Sequence, residues 1–381
     1  MPEVWPFFPS TDIKETLAWL TDVRITPQGE MRDSLRDGRQ KLALSFSVDD
    51  QQRARALELL RSNILGDWYL PFWPDRTLIA GELAATDTSI AVNTDADYRA
   101  GGYALALLDD ESFALLQVDT VGSGVINLAA PVGVTLTGSA VQPVVVAPAR
   151  VAYLPAGLKE SRAFRGYSTL TGEFALRDQI DLGGHSYPSH DSLPVLTDPV
   201  VVTQPVSGGM SQGVQLVDNG FGPVVMESVR DVVEEKSMLY FVDNTIADRW
   251  ERRKWLHHLR GRDGAFWMPS GARDLVLAAA VADTDTELLV DPIVDDANVA
   301  DLVGRHLQID YGAGLLHREV TAAAVSGFNH SLTIAAPGVA LGADAVVSLM
   351  VKSRLDADQL TVNHEAGFIS RVSAPVVEVV A

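Results

Sequence analysis

The sequence predicts a mainly β protein built from two tandem β-sandwich-like repeats, each with one packed α-helix and one inserted small β-barrel. Three observations lead to this prediction. The chain of 381 residues is long enough for about two domains of ordinary size. Its two halves contain similar segments in the same order, and each half carries many short strands separated by turn residues.

Five pairs of segments match across the two halves in collinear order. The clearest pair is Gly66–Pro71 and Gly264–Pro269, two aromatic segments 198 residues apart. The spacing increases from 194 residues upstream to 206 downstream, as expected when small insertions accumulate in loops. Five ordered matches are hard to explain by chance, so the sequence predicts a duplication. The other pairs are Ser34–Asp37 with Ser228–Asp231, Val48–Asp49 with Val242–Asp243, Thr86–Thr88 with Thr284–Thr286, and Ile126–Pro131 with Leu332–Pro337.

Each half opens with alternating strands, predicted over residues 23–46 and 224–241, and continues with a helix. Asp49 and Asp243 stand where helix N-caps belong. Apolar residues then recur at three- and four-residue spacing, which predicts one buried helical face in each half. These residues are Ala54, Leu57, Leu60 and Ile64 in the first half, and Trp250, Trp255, Leu256 and Leu259 in the second.

The predicted domain boundaries follow from these patterns. Residues 1–178 form the first repeat, residues 179–205 form a connector rich in glycine and proline, and residues 206–381 form the second repeat. Each repeat holds an inserted module of short strands, at about 78–146 and 275–351, in which no helical pattern occurs. Evenly spaced short strands of this kind favour a small barrel.

The composition excludes several classes of protein. The chain has no cysteine, so disulfides and thiolate metal sites are excluded. Its net charge of −20 repels a phosphate backbone and argues against stable binding to nucleic acid. No apolar run approaches the roughly 20 residues that a membrane span needs, and the N-terminus lacks the pattern of a secretory signal. The acidity serves solubility or, alternatively, lines a conduit past which DNA slides.

The histidines give no metal-binding pattern. His257 and His258 are adjacent on a helix and point about 100° apart, so they cannot bind one ion together. His185 and His190 lie in the connector without a known ligand spacing, and His364 has no partner histidine at helical spacing. No metal or other cofactor is predicted.

The sequence lacks two motifs that bind nucleotides, the P-loop and the dinucleotide fingerprint. Adjacent carboxylates such as Asp109–Asp110 and Asp295–Asp296 are expected by chance in so acidic a chain, and turns explain them. We therefore predict no catalytic residue and no enzyme activity.

Aromatic clusters are the most informative side chains. They either form a core beneath the sandwich or anchor a subunit interface, where tryptophan and tyrosine are enriched. The N-terminal segment Trp5–Pro9 is apolar and stiffened by proline, and is a candidate arm that docks on a neighbour. The interface candidates are Trp5, Phe7, Phe8, Trp68, Tyr69, Phe72, Trp73, Phe266 and Trp267.

A further set of segments follows a recognisable order along the chain. It comprises Trp5-Pro6, Glu15–Val23, Gly29–Arg32, Trp255–Arg262, Phe266–Pro269 and Asp274-Leu275. These residues resemble a family of tailed-phage (siphovirus-type) tail-tip proteins related to distal tail proteins. The likeness covers most of the chain, and its motifs are patterns of packing and turns rather than chemical signatures.

The resemblance implies a structural role, as a ring at the end of the tail tube that joins the tube to the hub or fibres. It also implies assembly in the host cytoplasm and a final position at the tail tip of the virion. Three copies of a duplicated chain would present six quasi-equivalent units and could match a six-fold tube to a three-fold tip. We therefore expect a homo-oligomer, a trimer being favoured, with other tail proteins as partners.

Two alternatives come from other functional classes. The inserted barrels could bind carbohydrate or a receptor, although their aromatic residues are sparse: Tyr98, Tyr103 and Phe113 in the first and Tyr311 and Phe328 in the second. A cell-wall-degrading enzyme is the less favoured alternative, because a glycosidase needs two carboxylates at a defined separation.

Overall fold

The computed structural model describes residues 2–10, 12–26, 29–63, 65–164, 166–178, 182, 184–198, 207–218, 220–365 and 368–379. Strands account for 50% of the residues and helices for 11%, so the predicted mainly β class is confirmed. The alternation of apolar and polar residues along the long strands explains this result, because it gives each strand one face to bury.

The described residues of the first half form fourteen strands and one α-helix. In chain order they are β1 (Glu3–Val4), β2 (Ile13–Thr26), β3 (Gly29–Val48), α1 (Asp50–Ser62), β4 (Trp68–Pro71), β5 (Thr77–Ile79), β6 (Glu82–Leu83), β7 (Ser89–Ala91), β8 (Tyr103–Leu107), β9 (Phe113–Gly122), β10 (Val125–Leu128), β11 (Leu136–Thr137), β12 (Val144–Tyr153), β13 (Lys159–Phe164) and β14 (Tyr167–Leu176). A short 3₁₀ helix, Trp73–Asp75, follows β4.

The connector and the second half contain the remaining elements. They are β15 (Ser189–His190), β16 (Leu193–Pro194), β17 (Ser207–Val217), β18 (Val225–Asp243), α2 (Ile246–Leu259), β19 (Ala265–Pro269), β20 (Glu287–Val290), β21 (His306–Asp310), β22 (Leu315–Glu319), β23 (Ala322–Ser326), β24 (Asn329–Thr333), β25 (Val346–Leu355), β26 (Gln359–His364) and β27 (Ser370–Glu378). A second 3₁₀ helix spans Asp296–Leu302. Much of the predicted connector, including residues 199–205, lies outside the described residues.

One continuous sheet runs through both halves. Its eight strands follow the order β13, β14, β3, β2, β26, β27, β18 and β17, and every neighbouring pair is antiparallel. Strand β2 of the first half pairs directly with β26 of the second half. The two halves are therefore joined by backbone hydrogen bonds as well as by the chain that connects them.

A second layer covers one face of this sheet. In the first half, the end of β14 pairs with β12, β12 pairs with β4, and β4 pairs in parallel with β1. In the second half, β27 pairs with β25, which continues to β19. Alternate side chains of the sheet, such as Leu42, Leu44 and Phe46 of β3, are buried between the two layers.

The two helices begin with different caps. Asp49 caps α1 as predicted: its side chain accepts a hydrogen bond from the Gln52 backbone amide, and the Gln52 side-chain oxygen accepts one from the Asp49 backbone amide. The prediction that Asp243 caps α2 is wrong, since the cap is Thr245, whose hydroxyl accepts a hydrogen bond from the Asp248 amide. Asp243 is instead the last, buried residue of β18.

The buried faces of the helices were predicted with unequal success. In α2, Trp255, Leu256 and Leu259 are buried as expected. In α1, the buried residue is Ala56, whereas the predicted Ala54 is exposed. Ile64 lies outside the described residues. The pattern in α1 is weak because the rest of the protein covers only a narrow face of this helix. The polar residues of the helix do not mark clearly where that face begins and ends.

The inserted segments have cores of their own. In the first, the strands follow the order β7, β10, β9, β8, β12 and β5 around a separate apolar cluster. In the second, β20, β24 and β23 form a three-stranded sheet, and β21 links β22 to β25 around another cluster. Neither described α-helix has the length and apolar character that crossing a membrane requires.

Candidate functional site: the joint between the two halves

The joint is built around β2. Six residues of this strand, from Ile13 to Ala18, pair with β26. Because side chains alternate along a strand, Leu17 and Trp19 point to the same face and enter the core of the second half, where Leu360 also lies. A strand of the first half thus supplies core residues to the second.

Glu15 lies on the same face and is the centre of a buried polar cluster. Arg253 of α2 donates two hydrogen bonds to it, from Nε at 3.1 Å and from Nη2 at 3.2 Å. His364 of β26 lies 2.8 Å from the second carboxylate oxygen through Nε2. The Gln40 amide of β3 donates to the first oxygen. All four side chains are buried.

A second carboxylate completes the cluster. Asp75, at the end of the first 3₁₀ helix, accepts from Arg253 Nη1 at 3.0 Å and pairs with Arg249 Nη2 at 3.2 Å. Arg249 and Arg253 are four residues apart, so they project from the same face of α2. Two carboxylates of the first half therefore meet two guanidinium groups of the second half in the interior.

The protonation of the cluster follows from its contacts. Burial alone would raise the pKa of Glu15, but the charge of Arg253 and the bonds from His364 and Arg253 outweigh it and hold that pKa well below its usual range. Burial opposes the charge of Arg253, yet Asp75 and Glu15 raise its pKa. Burial lowers the pKa of His364 despite its contact with Glu15. Glu15 and Arg253 are therefore ionised at neutral pH, whereas His364 is neutral.

Polar contacts also hold the joint outside this cluster. Thr21 donates from its amide and its hydroxyl to Asp358, at 2.9 and 2.8 Å. Glu30 of β3 pairs with Arg354 of β25 through both carboxylate oxygens. The hairpin of β2 and β3 therefore lies along the second half well beyond the six paired residues.

One part of the cluster has the connectivity of a catalytic triad. Ser370 Oγ lies 2.8 Å from His364 Nδ1, and Glu15 lies at the other ring nitrogen. However, Ser370 has no exposed surface, so it cannot meet a substrate in this conformation. The arrangement positions the halves: removing one partner would leave an unpaired charge in the interior.

The predicted interface residues are placed mainly in the core. Eight of the nine are buried within the chain, and Phe8 is 36% exposed against the ring of Trp73. The buried ones in the first half are Trp5, Phe7, Trp68, Tyr69, Phe72 and Trp73, and those in the second are Phe266 and Trp267. Their contact with a neighbouring subunit stays a prediction, to which this burial lends no support.

The predicted docking arm folds onto its own half. Trp5 donates its amide hydrogen to the Tyr69 carbonyl at 3.0 Å, beside the parallel pair of β1 and β4. Its ring packs edge-on against Trp68 and Phe46, with centroids 5.3 and 5.7 Å apart. The segment is apolar because it closes the first core.

The histidines of the connector lie close to others without forming a metal centre. His190 Nε2 is 2.9 Å from His306 Nδ1, and the His306 ring packs at a tilt against the Trp267 ring, with centroids 4.0 Å apart. Within the described ranges, no three His, Asp or Glu side chains are arranged to hold a metal ion. These rings fasten the connector to the second insert.

A cleft of about 610 Å³ lies between the connector and the start of α2. Arg252 pairs there with Asp198 and Asp243, and also contacts the hydroxyl of Tyr187. Burial raises the pKa of Asp243 although Arg252 opposes this effect. The pairs tie the connector to α2, much as Asp75 is tied to the same helix.

Sequence reasoning missed the residues of the joint. Glu15 alternates with Ile13 and Leu17 on the buried face of a strand, and three arginines interrupt the apolar face of α2. Charged residues at positions predicted to be buried indicate buried partners. That signal was present, but it does not say which carboxylate meets which arginine.

Comparison with known proteins adds no relative. No protein-family model matches the chain, and no curated protein is significantly similar to it. The functional argument therefore rests on the residues and the strand order described above.

Proposed function

We propose that the chain is a structural component of the tail tip of a phage, in which three copies close into a ring that joins the tail tube to the hub or fibres. The observation that carries this proposal is the eight-stranded sheet, which continues across both halves and ends in two strands with one neighbour each. A sheet with two open edges can extend from copy to copy until it closes.

The order of elements supports a duplicated unit. In both halves a hairpin leads to a helix, a short aromatic strand, an inserted segment, a strand that returns to the second layer and a final hairpin. We propose that these are two repeats, each with an inserted small barrel, and that three chains supply six quasi-equivalent units. The inserted barrels would enlarge the ring and carry its outer contacts.

The open face of the sheet suits a lumen. The second layer and the helices cover the other face. When the sheet closes into a ring, this thicker side lies on the outside, where the circumference is larger. Eight strands from each of three copies, at about 4.8 Å spacing and about 40° tilt, give a diameter of roughly 48 Å between backbones. Residues on the open face include Lys14, Thr16, Lys41, Ser45, Thr169, Thr171, Glu173, Thr361, Asn363 and Ser373.

Hydroxyl and amide groups predominate among these residues, and Lys41 pairs with Glu173 at 2.8 Å. Met238, Tyr240 and Val242 of β18 lie on the same face and are uncharged. A wall with so few charged groups binds a passing polyanion weakly. The proposed conduit therefore differs from the acidic lining considered from composition alone.

The alternative of carbohydrate binding has little support in the inserts. Tyr98 is buried, and Tyr103, Phe113 and Tyr311 are partly buried against apolar clusters. Phe328, 97% exposed at the turn between β23 and β24, offers a single ring. Sugar platforms need larger exposed aromatic surfaces, so we do not favour this function.

The test is the mass of the purified chain in solution, compared with 41.0 kDa for one copy. We expect a trimer by light scattering and a ring with a central hole by electron microscopy. A monomer at high concentration, or a compact oligomer without a hole, would contradict the proposal.

A further inference from the structure

The joint inside the chain has an unused counterpart at the ends of the sheet. Strand β2 joins the halves by pairing with β26. If the two halves are equivalent, β17 occupies the position of β2, and β13 the position of β26. In the described chain, β17 pairs with β18 alone and β13 with β14 alone.

The register of the hairpins fixes which residues correspond. Leu17 pairs with Gln40, six residues before Phe46, and Met210 pairs with Glu235, six residues before Phe241. Phe46 and Phe241 hold the same place, each opposite the final strand of its half. Met210 is therefore the counterpart of Leu17.

The opposite edge is aligned in the same way. Val362 pairs with Val372, the residue opposite Phe241, and Glu160 pairs with Leu170, the residue opposite Phe46. Glu160 thus corresponds to Val362, and Leu158 corresponds to Leu360, two residues earlier.

The residues at the joint are buried, whereas their counterparts at the ends of the sheet are more exposed, as expected if a neighbouring strand is missing there. Leu17 and Leu360, which pair at the joint, are 0% and 2% exposed. Met210 is 80% exposed, and Leu158 is partly buried at the rim of the first core. A large apolar side chain on an open strand edge needs cover.

The helices differ in the same sense. Helix α2, over which the first hairpin lies, buries six side chains, three of them arginines. In α1, the described side chains include one buried residue, Ala56. The outer side of α1, next to β13, is the surface that a second hairpin would cover, as the first hairpin covers α2.

We propose that β17 of one copy pairs antiparallel with β13 of the next copy, with Met210 opposite Leu158 and Gly209 opposite Lys159. This inference rests on the proposed ring and names the contact that closes it. The pairing is heterologous: each copy pairs its β17 edge with one neighbour and its β13 edge with the other, as a closed ring requires.

The chemistry of the two edges suits this contact. On β13, Glu160 is already neutralised by Arg53 and Arg162, at 2.6 and 3.1 Å. Strand β17 carries two adjacent glycines, Gly208 and Gly209, which have no side chains to collide with the charged side chains of β13. The new contact lacks a buried ion cluster, since Gly208 stands where Glu15 stands in the joint, and is therefore weaker.

A cysteine pair tests the register in a chain that has no other cysteine. A Cβ atom at Gly209 meets nothing within 4 Å, so Gly209→Cys is tolerated, and Lys159 is exposed. Mild oxidation of the variant that carries Gly209→Cys and Lys159→Cys should produce covalent trimers on a non-reducing gel. The matched control carries Gly209→Cys and Ser161→Cys, two residues out of register, and should cross-link at least tenfold less.

The outcomes separate the contact from the ring. Trimers in solution without the expected disulfide would overturn this pairing and leave the proposed function standing. Monomers without a disulfide would overturn both. Covalent dimers from Gly209→Cys alone would indicate that two β17 edges meet each other, and would also overturn the proposal.

A second variant tests the apolar contact. Met210→Asp should leave the far-ultraviolet circular dichroism unchanged, because the residue is exposed, and weaken association at least tenfold. Phe328→Asp, which alters an exposed ring away from both edges, is the control and should associate normally. Equal effects of the two variants would overturn the proposal.

Discussion

At the residue scale, Arg253 is the side chain on which two buried carboxylates depend. It contacts Glu15 and Asp75, and its guanidinium also lies over the ring of Phe72 at 4.5 Å. Arg253→Met keeps the volume and removes the charge. We expect a loss of about 3–5 kcal/mol in the free energy of unfolding, measured with urea, because Glu15 loses its guanidinium partner in the interior and Asp75 keeps only Arg249.

The control for this variant is Arg53→Met on α1. Arg53 also makes a two-point contact with a carboxylate, Glu160, but that pair is open to solvent. Exposed pairs contribute little to stability, so the loss should be far smaller. Equal losses of unfolding free energy in the two variants would mean that burial of the cluster does not contribute to stability.

His257 makes stability depend on pH. Burial lowers its pKa from 6.5 to about 4, against the smaller opposing effect of Glu15. Because the folded value lies below the unfolded one, acid protonates the unfolded chain first, and stability falls as the pH drops from about 6.5 towards 4. His257→Leu should remove about 2 kcal/mol of the loss between pH 7.5 and pH 5, measured by urea denaturation.

His258→Leu is the matched control, since this neighbouring ring is exposed and should alter the pH dependence less. The pKa of several other histidines is lowered by burial too, so the wild type should still lose stability in acid: His185, His190, His306, His317 and His364. An unchanged slope in His257→Leu would contradict the assignment.

At the element scale, the N-terminal segment is part of the first core. Trp5 is fully buried among aromatic rings, whereas its neighbour Phe8 is partly exposed. Trp5→Ala should cost about 3–5 kcal/mol in the free energy of unfolding, measured by urea denaturation, because it leaves a large cavity. Phe8→Ala should cost much less.

The same pair of variants separates the two interpretations of this segment. If Trp5 anchored a neighbouring subunit, Trp5→Ala would weaken association and leave the stability of the single chain unchanged. Light scattering beside the denaturation curve distinguishes these results.

At the scale of the whole molecule, the halves should stay together without the connector. Their joint consists of the β2–β26 ladder, the apolar residues Leu17 and Trp19, and the buried ion cluster. We expect a chain with a protease site inserted between residues 198 and 207 to elute unchanged from a sizing column after cleavage. Separation into two fragments would show that the connector, and not the joint, holds the molecule together.

Much of the fold could be predicted from local sequence. Alternation along β3 and β18 determines which faces are buried, and the Asp49 capping box marks the start of α1. These features depend on residues within a few positions of each other, so a single sequence contains them. Asp243 was mistaken for a cap because a strand end and a helix cap favour the same residue types, and only the hydrogen bond to Thr245 separates them.

The sequence by itself determined the mainly β class, the start of α1 and the absence of thiol chemistry. The tertiary structure alone decided that β2 pairs with β26, that the aromatic segment at the N-terminus closes its own core, and that Glu15 meets Arg253 and His364. The physical reason is that local patterns specify which face of a strand is buried, whereas similar edges in two similar halves are equivalent partners until the packing of distant side chains selects one.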